Sequence, residues 1–381
     1  MLGKNINSLK NSLEGKTVLL RLEVNVPVKE GKIVNDLRIK KTFSTIEFLL
    51  KEKAKVIAFG HIENKEGATL KPVYEYLKEK GFPVIFAPEG VSDSTEEKIK
   101  ETKEGEMLLL ENIRMHPEEK ENNEEFSKRI SSWGDVFVNE AFGASHRKHS
   151  SIVGIAKFLP SFFGFHFIEE IENLSKAFTP DKPFLFILGG AKFETKIPLI
   201  KKLLPKADDC FIGGAPAHSF FKYKGWNVGK SLLPKEDIDV SDMADDSSLL
   251  LPIDVVVGME DGSRSIKKPD EVSSGETISD SGPESILMLK EKIESASFII
   301  WNGPLGNYEE GFVESTIEIA RAIAKSDCIS MIGGGDTVAT IEGIGMENNF
   351  TFISTGGGAM LEFLTDETLP GIDAVNSSPG F

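Results

Sequence analysis

The sequence predicts an α/β chain of two doubly wound parallel sheets joined by a helix, and three observations carry that expectation. Short apolar runs alternate with helical stretches along most of its length. The alternation breaks near Pro180 and restarts at Phe184. Paired or triple glycines follow apolar runs at four places, where an open parallel sheet carries its ligand-binding loops.

In the first half, strands are expected at 17–20, 56–59, 84–86, 107–110 and 136–138, each a short apolar run bounded by charge or turn residues. Helices are expected at 42–51, 73–80 and 94–101 between them. A longer helix is expected from about 167 to 177, because Pro180 stops it. Strands then recur at 184–188, 210–212, 255–257, 298–300 and 329–331, and the polar, turn-rich stretch 261–282 reads as an exposed excursion. Two Rossmann-like domains joined by a hinge helix are the economical reading. At 381 residues the length fits two domains.

A net charge of −16 argues against general nucleic-acid binding. No apolar stretch reaches the length of a membrane span. Residues 1–5 lack the apolar core of a secretory signal, and the two cysteines, Cys210 and Cys328, each sit in an apolar run as small hydrophobes. A reducing, cytoplasmic setting is therefore expected. The arginines at 21, 38, 114 and 147 each stand beside a strand end or turn; singly they would be surface ion pairs of little energetic value, and together they would make an anion site.

The run Ile332-Gly333-Gly334-Gly335-Asp336-Thr337 carries the most chemistry, because bare glycines, a carboxylate and a hydroxyl sit where an apolar strand meets a helix. Glycines admit an anion to backbone N–H groups, and the helix start adds unpaired donors and a positive dipole end. Asp336 would repel a lone phosphate, but a Mg²⁺ ion can bridge carboxylate and phosphate oxygens, so a Mg–nucleotide is the natural ligand. Taken alone, the run reads slightly better as a glycine turn with an aspartate cap. Gly189-Gly190-Ala191-Lys192, Gly213-Gly214 and Gly356-Gly357-Gly358 repeat the arrangement and favour the ligand site. The look-alike Gly225-Trp226-Asn227-Val228-Gly229-Lys230-Ser231 has too few residues between its glycines for a phosphate loop and reads as a turn and short strand. No Cys or His spacing suits zinc.

These motifs, in their order, resemble the phosphoglycerate kinases along nearly the whole chain. The resemblance is carried by Arg21-Leu22-Glu23-Val24-Asn25, Asp36-Leu37-Arg38, Leu110-Glu111-Asn112-Ile113-Arg114, residues 139–151, Gly189 to Lys192 with Lys196, Leu251 to Asp254, Asp280 to Pro283, Trp301 to Gly306 with Glu309, and the two glycine triplets. It implies phosphoryl transfer between 1,3-bisphosphoglycerate and ADP, giving 3-phosphoglycerate and ATP with Mg²⁺, in a cytoplasmic monomer. A nucleotide-binding relative with weak or lost glycerate turnover is the alternative.

The same resemblance implies an N-terminal glycerate domain at 1–165 completed by 366–381, an interdomain helix at 166–180 and a nucleotide domain at 181–365. The glycerate would be held by Arg21, Arg38, His61, Arg114, His146, Arg147 and His149, with Glu23 and Asn25 at its hydroxyl and carboxylate end. Lys192 would meet the transferring phosphate with Arg38 as its catalytic counterpart, Lys196 and Thr337 the nucleotide phosphates, Asp336 the metal and Glu309 the ribose. Gly213 and Gly214 would border the adenine, and Asn302, Gly333, Gly334 and Gly335 would complete the nucleotide site.

The chain departs from the family pattern at several points. Glu23 replaces an aspartate, His61-Ile62-Glu63-Asn64-Lys65 replaces a His-Leu-Gly-Arg-Pro stretch, and Thr195 replaces an acidic residue. Gly213 to His218 lacks the usual third glycine, methionine and aromatic, and 231–250 is short. Because Asn64 offers no guanidinium, weak 3-phosphoglycerate affinity is expected.

Overall fold

The computed structural model describes residues 4–63, 67–236 and 238–381. Asn64 and Lys65 lie outside the described residues, as does the side chain of Thr195. The chain forms two compact units, Met1–Glu172 with Thr368–Phe381, and Asn173–Glu367.

The first unit is built on a parallel sheet of six strands in the order Val84–Ala87, Met107–Leu110, Lys55–Phe59, Thr17–Arg21, Val136–Asn139 and Ser161–Phe163. Side chains alternate across a strand. Val18, Leu20, Val56, Ala58, Val136 and Val138 thus enter one core, and Leu19, Ile57, Phe59 and Phe137 the other. Both faces are covered, which is why these strands read as continuous apolar runs. The C-terminal helix Pro370–Asn376 belongs to this unit: Gly371 N–H donates to the Ser145 carbonyl at 2.9 Å, and Lys4 Nζ donates to Ser378 Oγ at 2.6 Å.

The helix Phe165–Leu174 begins at a buried acid, with the N–H groups of His166 and Phe167 donating to the Glu140 carboxylate at 3.1 and 3.3 Å. Burial pushes the Glu140 carboxyl up to about 7. His166 lies between acids, its Nδ1 at 3.4 Å from Glu169 and its Nε2 at 3.6 Å from Glu170. Burial opposes charge on that ring, but these acids and Glu140 outweigh it and raise its pKa.

The second unit also has six parallel strands, in the order Leu249–Leu250, Asp209–Ile212, Phe184–Leu188, Phe298–Asn302, Ile329–Gly333 and Phe352–Ile353. Leu188 pairs with both Ile212 and Asn302, Asn302 with Gly333, and Ile332 with Ile353. The glycine loops after these strands therefore leave the sheet along one carboxyl edge. Four helices start there: Phe193–Leu203, Gly214–Tyr223, Gly335–Gly343 and Gly358–Asp366.

Three expectations are corrected here. The valine run at 255–257 does not join the parallel sheet; Val255–Gly258 is the centre of an antiparallel three-stranded sheet with Arg264–Lys267 and Thr277–Ser281. The stretch 261–282 is accordingly two strands rather than a loop excursion, and Asp280 and Ser281 are buried in it. Its polar side chains hid the pattern: Asp280 is buried and accepts from Ser315 N–H at 3.3 Å. Residues 225–231 hold a turn and a single isolated bridge from Gly229 to Thr277, not a strand.

Candidate active site

In the first unit, Arg21 pairs with Phe59 and with Asn139 at the carboxyl ends of their strands, so the segments that follow all three strands share one edge. Arg21 is buried, and its guanidinium is engaged by its neighbours. Nε donates to Ser151 Oγ at 2.9 Å, Nη1 to the Leu22 carbonyl at 2.6 Å, and Nη2 lies 2.9 Å from His61 Nδ1. A guanidinium can only donate. His61 Nδ1 is therefore the acceptor, and its proton sits on Nε2.

Glu119 completes this buried arrangement. Its carboxylate accepts from Ser151 N–H at 2.8 Å and from Ser151 Oγ at 2.5 Å, and it lies 3.9 Å from His149 Nδ1. Burial raises its pKa, while Arg21 and the Ser151 bonds pull it back. The sequence reading missed Glu119, because in Pro117–Lys120 it looks like one more acid of a solvated helix.

The other glycerate candidates gather nearby. Arg38 Nη1 donates to the Asn25 carbonyl at 2.6 Å, and Asn25 Oδ1 accepts from Glu63 N–H at 2.9 Å. Arg114 forms an ion pair with Glu63, and its buried Nε has no partner among the described residues. Glu23 is buried with Oε2 unpartnered among the described residues, and a Cβ at Gly143 would lie 2.8 Å from that oxygen.

The imidazoles report how closely the charges are packed. Burial first, then Arg21, Arg114, His149 and Arg38, hold His61 well below the usual histidine range. Burial followed by Arg147 lowers His146 to about 4, and burial followed by Arg114, Arg21 and Arg147 lowers His149 to about 4. These rings are neutral at pH 7, and the positive charge of the cluster belongs to its arginines.

In the second unit, a cavity of about 480 Å³ opens on the carboxyl edge, lined by Gly190, Gly214, Glu309 and Asp336 and also by apolar side chains including Phe221 and Val255. Lys196 is buried, with its Nζ donating to the Gly189 carbonyl. Burial lowers its pKa to about 8, against the pull of Asp336 and with help from Lys192. The backbones around that ammonium have no room for side chains: a Cβ at Gly190 or Gly303 would come within 2.5 Å of Lys196 Nζ, and both residues have positive φ, +82° and +92°.

Lys192 is exposed at the start of Phe193–Leu203 and Asp336 in the first turn of Gly335–Gly343, while Glu309 is exposed in the short helix Tyr308–Glu310. Asn302 is buried at the end of its strand, its Nδ2 3.7 Å from Met360 Sδ. Gly213 caps the helix Gly214–Tyr223, and Gly333 and Gly334 lead into Gly335–Gly343. Thr337 is enclosed, and its Oγ1 has no partner among the described residues.

Among the described residues no group of three or more His, Cys, Asp or Glu side chains could hold a metal. One exposed aspartate at a helix start, beside a buried ammonium, fits a Mg²⁺ that keeps most of its waters and takes its other ligands from phosphate.

A family model for phosphoglycerate kinase matches residues 6–367. The chain is 41% identical over 390 aligned positions to a phosphoglycerate kinase of Dictyoglomus turgidum, covering 98% of each. To that of Pseudothermotoga lettingae it is 39% identical over 384 positions, covering 95% of this chain and 96% of the relative. Among solved structures, phosphoglycerate kinase from Coxiella burnetii superposes with a TM-score of 0.81 at 36% identity, over 97% of this chain and 98% of that one. The Pyrococcus horikoshii enzyme gives 0.84 at 31%, over 99% and 98%.

Proposed function

The chain belongs to the phosphoglycerate kinase family, and on that premise we propose how its two units divide the reaction. It is a phosphotransferase that interconverts 1,3-bisphosphoglycerate and ADP with 3-phosphoglycerate and ATP. The first unit takes the glycerate. Arg38, Arg114 and Arg147 supply charge to its anionic groups, and His61 offers its Nε2 proton. Arg21 acts from behind by fixing His61 and Ser151, since its guanidinium is spent on protein partners. Asn25 and Glu23 sit where the hydroxyl and carboxylate end would be read, and His146 and His149 contribute as neutral hydrogen-bonding rings.

The second unit takes the nucleotide. Four helix starts supply N–H donors to its phosphates, with Lys196 as a buried cation, Lys192 as the exposed one and Glu309 toward the ribose. Asp336 would hold Mg²⁺ with the nucleotide phosphates; when bound, the ion neutralises charge on those oxygens. Phosphoryl transfer needs in-line placement and positive charge more than covalent help. Lys192 and Arg38 supply that charge from their separate units, and the helix between the units is part of the proposal as a hinge.

The proposal also places the enzyme in the cytoplasm as a monomer. Its two cysteines are free, no helix among the described residues is long and apolar enough to cross a membrane, and the exposed large hydrophobics are scattered along the chain.

The observation that carries this reading is the convergence of Lys196, Asp336 and the glycine loops on one edge of the second sheet. Steady-state kinetics test it. Lys192→Ala should lower kcat by about 100-fold with little change in nucleotide affinity, because its charge is needed mainly in the transition state. Asp336→Ala should instead raise the KM for Mg–ATP. Near-normal turnover by Lys192→Ala would remove that lysine from the transfer step.

A further inference from the structure

His218 stands one helical turn beyond Gly214, on the same side of the helix Gly214–Tyr223. It lines the cavity, as do Phe221 and Leu232. The ring is only 4% exposed, and burial lowers its pKa despite the Leu232 hydrogen bond, so it is neutral at pH 7.

Its Nδ1 lies 2.8 Å from the Leu232 carbonyl oxygen. A carbonyl can only accept, so Nδ1 carries the ring's proton and Nε2 carries a lone pair. Nε2 has no hydrogen-bond partner among the described residues, and it is not one of the polar atoms sealed from solvent. The cavity wall thus presents a fixed acceptor at His218 Nε2, among polar and apolar neighbours.

We propose that His218 reads the edge of the nucleotide base, accepting a hydrogen bond from the exocyclic amino group of adenine and rejecting bases that carry an oxo group there. The assignment rests on the cavity being the nucleotide site. With the tautomer fixed by Leu232, Nε2 cannot turn into a donor, so a 6-oxo purine sets two lone pairs against each other. A purine with hydrogen at that position neither gains nor clashes. His218 is a specificity residue and takes no part in the transfer step.

Calorimetric binding to the full chain in Mg²⁺ tests this with three probes: ADP, IDP and purine riboside diphosphate. Wild-type protein should bind ADP about tenfold tighter than IDP, with purine riboside diphosphate between them, as one buried hydrogen bond and its loss imply. His218→Phe keeps the ring and removes the acceptor, and should bring ADP and IDP within about twofold. His218→Gln, whose amide can turn to either base, should narrow the ratio as well.

An unchanged ADP-to-IDP ratio in His218→Phe would overturn the proposal while leaving the nucleotide site standing. Equal wild-type affinities for IDP and purine riboside diphosphate would overturn it even if the variants failed to fold. Absence of binding by all three probes to wild type would overturn the nucleotide assignment and this inference together.

Discussion

Glu63 stands where the family pattern has a glycine, and its carboxylate occupies Arg114. The acid is 69% exposed and Arg114 9%, so this is a rim contact worth about 0–1 kcal/mol rather than a structural ion pair. An incoming phosphate or carboxylate has to displace it. Glu63→Gly should therefore lower the KM for 3-phosphoglycerate about two- to fivefold and leave the KM for ATP unchanged. Steady-state kinetics with each substrate varied would show it, and an unaltered glycerate KM would mean that Arg114 does not meet the substrate. The residue scale is also where the sequence was least complete. The arginines were legible because each stands beside a strand end or turn and the lysines because they follow a glycine pair, but Glu119, Glu140 and His218 were not. Burial sets an ordinary acid or imidazole apart from its solvated counterparts, and no local spacing in Pro117–Lys120 or Gly214–Tyr223 announces it.

Elements were read best where both faces of a sheet are covered, since strands such as Thr17–Arg21 and Phe298–Asn302 are then apolar throughout. The antiparallel strands Arg264–Lys267 and Thr277–Ser281 were missed because serine, threonine and aspartate side chains replace the apolar pattern there. The edge strand Ser161–Phe163 is too short to stand out. The helix Phe165–Leu174 yields a prediction from its own cap. Glu140 is buried and its folded pKa, about 7, lies above the ordinary carboxyl value of 4.5. A raised carboxyl stabilises the fold below the unfolded value and loses that contribution as pH rises through the folded one. Glu140→Gln has no such dependence. Relative to wild type, the variant should gain stability between pH 4.5 and pH 8 by on the order of 3 kcal/mol, measured by urea denaturation across that range. A constant difference between the two proteins would show that Glu140 is ionised in the fold throughout.

For the whole molecule, the proposal gives each of the two parallel sheets one half of the chemistry at its carboxyl edge, the first through arginines and the second through glycine loops and helix starts. The paired architecture and the family were legible from motif order, and the comparisons agree with both. What the sequence could not give is the state of the charges. Neutral imidazoles among arginines and an ammonium lowered to about 8 are products of packing. The most direct test of the division of labour is the rate of ADP formation from ATP, followed as 3-phosphoglycerate is titrated at saturating Mg²⁺. The account predicts a rate that depends on 3-phosphoglycerate, saturates in both substrates, and collapses in both Arg38→Ala and Lys192→Ala. A protein that binds Mg–ADP with ordinary affinity yet forms no ADP from ATP at any 3-phosphoglycerate concentration would contradict it.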